Sequence, residues 1–447
     1  RYRTVGQRRH AASEPCISGL ASQRLLARQH INQGMSVVAL LLLSFLRHSL
    51  AAVQHGFLKR GILKRGKHHR AKSQSMKVLY PFYHSTEDIH DELVGLASRC
   101  PGMTLETKPA DDRSIDVITI RSPGASPVNK NFLLFGEHAR ELISPESGLH
   151  FVKSLCGETS LKDRAAEILQ DSEFQIVVNG NPESRRKVEQ GDFCLRVNPD
   201  GVDLNRNWDE EWQPSAVLDP ADTNPGPKPF SEPETQVFKE LVTAYKPTNF
   251  LTIHSGTKGM YMPWAYDMEH LATRNQPAMM RILKDLDNDH CQCPFGAAGR
   301  EVGYSCPGTC LDWVYDKLQT PYAFAFEIYT NPMMDDFLKE RWTSKMHSGG
   351  AFYQVHSHLA HRHFHDVFAA CPSDFVQLKS MTAEKNTAGM SPQDCFGNFN
   401  PDSQDEFDSV IENWSKAYLD LAGMIVQDIK RGVQPGLATN ATQLASP

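Results

Sequence analysis

The chain has 447 residues, of which 40% are apolar, enough to pack one large domain. Its net charge of −6 is unevenly spread: residues 1–76 hold 14 Lys or Arg against the single acid Glu14, a net of +13, so the remainder sums to −19. A mildly acidic body argues against a nucleic-acid binder, and the basic N-terminal stretch reads as a processed leader rather than a nucleic-acid or membrane-surface arm.

Taken in chain order, residues 1–34 precede Met35, the one candidate initiator, and read as a doubtful upstream segment. Residues 35–51 read as a signal peptide: the apolar run Met-Ser-Val-Val-Ala-Leu-Leu-Leu-Leu-Ser-Phe-Leu leads to Ser49-Leu50-Ala51, a small-x-small cleavage pattern. The run is shorter than the roughly 20 apolar residues of a membrane span, so no stable span is expected. Residues 52–76, with Leu-Lys-Arg-Gly at 58–61 and again at 63–66, read as a basic linker or short propeptide.

Residues 77–431 read as one catalytic domain. Strands are expected at 115–120 and 131–135, then a helix over 145–155 with Pro145 in its first turn, a helix over 165–170 and a strand over 173–178. Ser231-Glu232-Pro233-Glu234 has capping-box spacing and opens a helix reaching Tyr245. The apolar runs at 250–253 and 322–328 read as buried strands, and 407–431 as a helix. Strands alternating with helices predict an α/β fold, a central mixed, mostly parallel twisted sheet flanked by helices. An insertion at 330–394 breaks the alternation. Its His347, His356, His358, His361, His363 and His365 are irregularly spaced and read as a solvated helix face rather than a metal buffer. Residues 432–447 read as a disordered tail.

Ten cysteines point to an oxidising compartment, the secretory pathway, a vacuolar lumen or the exterior. Setting Cys16 aside with the leader leaves an odd nine. Cys291-Gln292-Cys293 and Cys306…Cys310 read as cross-links of one loop region, not as a metal site. Sequons at Asn413 and Asn440 are compatible with secretion.

The sharpest chemical signal follows the 131–135 strand: Gly136-Glu137-His138-Ala139-Arg140-Glu141. His138 and Glu141, three apart, face the same way on one helical turn. An imidazole and a carboxylate are two of the three protein ligands of a catalytic zinc, although such a pair alone is common by chance. His254 ends a second buried strand, 113 residues after Glu141, where a single histidine is more often structural. Glu327 stands near the end of a third, either in a structural ion pair or as a general base. Ligands of α/β sheets gather at such strand ends. Between them, Asn198-Pro-Asp-Gly-Val-Asp203-Leu-Asn205-Arg206-Asn207-Trp208 offers a guanidinium suited to a carboxylate, or simply a turn with a surface arginine.

With Asn181-Pro-Glu-Ser-Arg-Arg-Lys-Val-Glu and Phe-Glu-Ile-Tyr at 326–329, these segments resemble the carboxypeptidase A/B family of zinc carboxypeptidases, most closely its plant-like branch, over residues 80–420 outside the insertion. The resemblance implies one zinc ion per chain on His138, Glu141 and His254, a ligand set already known from carboxypeptidase A. It implies that Glu327 takes a proton from water and delivers it to the leaving amine. Arg185 would stabilise the oxyanion, with neighbouring Arg186 leaving that register open by one. Asn205 and Arg206 would hold the substrate's C-terminal carboxylate, and Tyr304, nine residues before Trp313, would close over the bound residue. Asp203 would orient His138, Arg140 would line the next subsite, and Leu311 would floor the specificity pocket. Leucine there favours apolar or aromatic C-terminal residues, since a charged side chain would be desolvated without a partner. One residue is inserted between Trp313 and Glu327 relative to the animal enzymes, which bears on that pocket's shape. The implied protein is a monomeric, secreted metallocarboxypeptidase acting on peptide or protein C-termini, with no nucleic-acid partner. A non-catalytic peptide-binding relative and a zinc amidohydrolase acting on a non-peptide amide are the two other readings.

Overall fold

The computed structural model describes residues 74–214, 223–332, 335 and 391–433, all within the unit 72–447. The leader, most of the linker, the six histidines of the insertion and all but the first two residues of the tail lie outside the described residues.

Helices α1 (Met76–Leu79) and α2 (Thr86–Arg99) precede strands β1 (Met103–Ala110), β2 (Arg113–Ile120) and β3 (Asn129–Phe135). Next come α3 (Ile143–Leu155), α4 (Lys162–Ile168), β4 (Ser172–Val177), α5 (Pro182–Glu189), α6 (Pro233–Tyr245), β5 (Asn249–His254) and β6 (Lys258–Met262). The chain continues through α7 (Gln276–Leu286), β7 (Phe295–Ala297), α8 (Ala298–Val302), α9 (Cys310–Asp316) and β8 (Tyr322–Ile328) to α10 (Pro392–Phe399) and α11 (Gln404–Lys430).

The strands form one mixed sheet in the order β1-β2-β4-β3-β5-β8-β6-β7. Its centre, β4-β3-β5-β8, is parallel, β1 and β2 continue it antiparallel on one side, and β6 runs antiparallel to β8 on the other. The apolar runs within the central strands follow from both faces being covered. Leu133 and Phe135 of β3, with Leu251 and Ile253 of β5, join an apolar cluster shared with α3 and α11. Their neighbours Phe132, Leu134 and Phe250 point the other way, into a cluster with Phe238 of α6, Trp208 and Trp313. The alternation follows from the two-residue period of a strand.

Three local expectations change. The Ser231–Glu234 capping box does not form: Pro233 starts α6, Ser231 Oγ donates to Glu232, and the Glu234 carboxylate is taken by Arg113 (2.7 Å) and Asn198 (3.2 Å). The cysteine region divides: Cys291 bonds Cys293, while Cys310 is a free, buried thiol. Cys100–Cys156 and Cys194–Cys395 are the other two bridges among the described residues. Finally, β1, not expected from the sequence, is an edge strand with polar exposed positions and Pro109, which an edge tolerates.

Candidate active site

β3 and β5 are adjacent parallel strands, so their carboxyl ends open on the same edge of the sheet. Gly136 leaves β3 at φ 73°, and a Cβ there would meet Gly180 N at 3.1 Å and Pro145 Cγ at 2.9 Å. Only glycine turns the chain so tightly against that backbone. His138 and Glu141 then sit on a turn closed by Glu141 N donating to His138 O (3.2 Å), just ahead of α3 rather than on the expected helix. A turn with i→i+3 closure brings the two side chains to one side as a helix would. β5 supplies His254 as its last residue, and β8 places Glu327 directly beside it in register.

The three donors converge. His138 Nδ1 lies 2.7 Å from Glu141 Oε1 and 3.1 Å from His254 Nδ1, and His254 Nδ1 lies 3.2 Å from Glu141 Oε2. Donors about 2.05 Å from a shared zinc ion at the tetrahedral angle would be about 3.3 Å apart. All three residues are buried. Both outward nitrogens have acceptors: His138 Nε2 faces Asp203 Oδ1 at 3.1 Å, and His254 Nε2 faces Thr252 Oγ1 at 2.8 Å. Protons on both Nε2 atoms leave two Nδ1 lone pairs facing each other beside a carboxylate, an arrangement that a cation stabilises. The donor set therefore fits zinc. A second grouping, Asp287 with Cys291 and Cys293, does not, because its two thiols are joined in a disulfide.

Electrostatics agree. Burial works to raise the Glu141 pKa, but His138 and His254 hold it far below the usual carboxylate range. Burial works to lower that of His254, but Glu137 and Glu141 push it up to about 10, so this pocket draws positive charge. Asp203 is pushed up by burial yet held well below its usual value by Arg196 and then His138. Glu327 is raised to about 7 by burial and then by the charge of Glu141. Its Oε2 is sealed from solvent and has no hydrogen-bond partner among the described residues. A basic carboxylate with a lone pair uncommitted, next to a cation-seeking cluster, can accept a proton.

The remaining expected residues separate into two groups. Asp203 caps the 3-10 turn Leu204–Arg206, its Oδ1 accepting from Asn205 N at 2.9 Å as well as facing His138. Asn205 Nδ2 is 3.4 Å from His254 Nε2, and Arg206 Nη1 donates to Asn205 O at 2.7 Å, so both stand next to the ligand group. Leu311, in α9, is buried in the larger apolar cluster, with Tyr304 packed against that cluster from the loop before it. The Leu311 loop is pressed onto the Arg206 turn: Gly308 has φ 74°, and a Cβ there would lie 2.3 Å from Arg206 O.

Arg185 does not join them. Its guanidinium is committed to Glu146 (3.0 Å), Glu189 (3.2 Å) and the carbonyls of Leu142 and His84. Arg186 pairs at the surface with Glu87 and Glu183. The arginine at the ligand group is Arg196, whose Nε donates to Asp203 Oδ2 at 2.9 Å and whose Nη1 is 3.6 Å from Glu141 Oε1. The signal for it was its place seven residues before Asp203, in the loop that leads into Asp203-Leu-Asn-Arg. Arg140 is buried, with its guanidinium 4.3 Å from the centroid of the Phe399 ring and Nη1 donating to Cys194 O at 3.2 Å.

Comparison with known proteins agrees with this geometry. A family model described as Zinc carboxypeptidase matches residues 89–347, more than half of the chain. Carboxypeptidase A2 of Mus musculus is 25% identical over 274 residues, covering 55% of this chain and 62% of its own length. Zinc carboxypeptidase A 1 of Anopheles gambiae is 25% identical over 304 residues, covering 62% and 67%. The chain thus spans less than two thirds of the mouse protein. The crystal structure of thrombin activatable fibrinolysis inhibitor superposes with a TM-score of 0.55 over 77% of this chain and 75% of that one, at 17% identity, a likeness of fold. From the family match and a His-Glu-His group able to bind the metal, the chain belongs to the zinc carboxypeptidase family.

Proposed function

We propose that the protein is a metallocarboxypeptidase that hydrolyses the C-terminal peptide bond of peptides or proteins, with preference for apolar or aromatic terminal residues. The observation that carries the reading is the convergence of His138 Nδ1, His254 Nδ1 and the Glu141 carboxylate beside Glu327. A bound zinc ion would polarise the scissile carbonyl and acidify water. Glu327 accepts the proton of the attacking water and passes it to the leaving amine nitrogen. Arg196, rather than Arg185, hydrogen-bonds the developing oxyanion. Asp203 holds His138 in its Nε2-protonated form. Asn205 and Arg206 take the terminal carboxylate, which confines cutting to chain ends. Tyr304 covers the bound residue and Leu311 walls its pocket. Arg140, under Phe399, borders the next subsite.

Secretion is the proposed setting: the three disulfides among the described residues favour an oxidising compartment, and residues 35–51 would direct the chain there. A monomer in the plant-like branch is the proposed form. The deciding experiment measures release of the last residue from matched peptides ending in Phe, Leu, Lys or Glu, with and without chelator, alongside Glu327→Gln. Chelator-sensitive release of Phe or Leu that Glu327→Gln abolishes supports the whole reading. Release of Lys retains the class and refutes the pocket. No release by zinc-loaded protein favours a peptide-binding relative, or an amidohydrolase if acyl amino acids are cut instead.

A further inference from the structure

Glu137 is only 1% exposed and has no part in the chemistry above. Its Oε2 accepts from Thr252 Oγ1 at 2.8 Å, and the same hydroxyl is 2.8 Å from His254 Nε2. The direct path from His254 Nε2 to Glu137 Oε2 is longer, 3.4 Å. A hydroxyl has one proton to give. Once Thr252 gives it to the carboxylate, its oxygen can only accept from the imidazole. Nε2 must then carry hydrogen, and Nδ1 keeps its lone pair toward Glu141 and His138. Asn205 Nδ2 also approaches Nε2, but at 3.4 Å, and its Oδ1 is held by Cys310 N at 3.0 Å.

We propose that Glu137, acting through Thr252, is a positioning residue that sets the tautomer and orientation of His254, as Asp203 does directly for His138. The inference rests on the zinc reading of the site. It explains why a carboxylate is present where an apolar side chain would avoid the cost of burial: among the described residues Glu137 receives the Thr252 hydroxyl, the weakly donating Cys310 Sγ at 3.4 Å and the His254 ring edge, and its Oε1 has no hydrogen-bond partner there. A cation held by His138, Glu141 and His254 would supply the missing compensation. The residue is also pinned from behind, since Asn181 Nδ2 donates to Glu137 O at 3.2 Å.

The test uses the full-length protein and two readouts other than turnover: the zinc dissociation constant from chelator competition, and the visible spectrum of the Co(II)-substituted protein. Thr252→Val, which keeps the shape and removes the hydroxyl, should weaken zinc binding about 10–100-fold and alter the Co(II) spectrum. Thr252→Ser should stay close to wild type, and Glu137→Gln should shift in the same direction as Thr252→Val. Thermal midpoints of the metal-free proteins separate a folding defect from a positioning one, and Glu137→Gln decides the matter if Thr252→Val does not fold. Unchanged zinc affinity and spectrum in Thr252→Val and Glu137→Gln would overturn the relay, as would a Thr252→Ser loss as large as that of the valine variant. A wild-type protein that binds no zinc at all would instead overturn the reading of the site itself.

Discussion

His138, Glu141 and His254 stand at the ends of neighbouring parallel strands buried on both faces, whereas Tyr304 and Leu311 are presented by a loop running from Gly303 into the short helix α9. The ligand end is held by the sheet register, by the Gly136 turn and by hydrogen bonds behind each imidazole. The proposed specificity end is held by packing of Gly308 on Arg206 O and by Asp312, whose carboxylate accepts from Ala265 N and Tyr266 N at 2.9 Å. On the proposed reading, chemistry built on a rigid sheet and selectivity built on a loop can change independently.

That separation can be broken from either side. Glu327→Gln removes the proton acceptor without altering shape, and kcat should fall about 10²–10⁴-fold while zinc content and terminal-residue preference remain. A changed preference would mean that the two ends are coupled. The arginines test the ligand end more finely. Arg196→Ala should cost about 10²–10³ in kcat with a folded product. Arg185→Met, which leaves the buried Glu146 with His84 alone, should cost about 3–5 kcal/mol of stability measured by denaturant unfolding, with the kcat of the folded fraction near wild type. The reverse pattern would restore Arg185 to the catalytic role. At the specificity end, Leu311→Ala should reduce the preference for Phe by about 10–200-fold in kcat/KM and leave chelator sensitivity intact.

A further effect, spread over pH, concerns Asp312, which burial pushes up to about 7. The folded protein keeps this proton over a range in which the unfolded chain, near 4, has lost it. The contribution is therefore complete below about pH 4 and disappears as pH rises through about 7, with a slope of at most about 1.4 kcal/mol per pH unit. Asp312→Asn should flatten stability across that window. An unchanged slope would show that the carboxyl ionises freely in the folded state.

What could be read from the sequence follows the same division. The runs 131–135, 250–253 and 322–328 are legible because two-sided burial makes a strand mostly apolar, and each carries its chemical residue near or just beyond one end. β1 was hidden, since an exposed edge removes the apolar pattern. Among Arg185, Arg186 and Arg196 the sequence offered only the nearness of Arg196 to Asp203 as a signal, and the pairing of Arg185 with Glu146, 39 residues earlier, exists only in the fold. The Thr252 relay was hidden for a related reason: Thr252 and His254 share a face of β5, but the Glu137 carboxylate joins them only when β5 aligns with the end of β3.

The Cys194–Cys395 bridge has a topological consequence. It closes a ring that contains Arg196, Asp203, Asn205, Arg206, His254, Tyr304, Leu311 and Glu327, and leaves His138 and Glu141 on the arm leading into it. A single proteolytic cut anywhere between the two cysteines opens the ring without releasing a fragment. Every residue assigned to the site would remain on one covalent molecule, which would migrate intact on a gel until the disulfide was reduced.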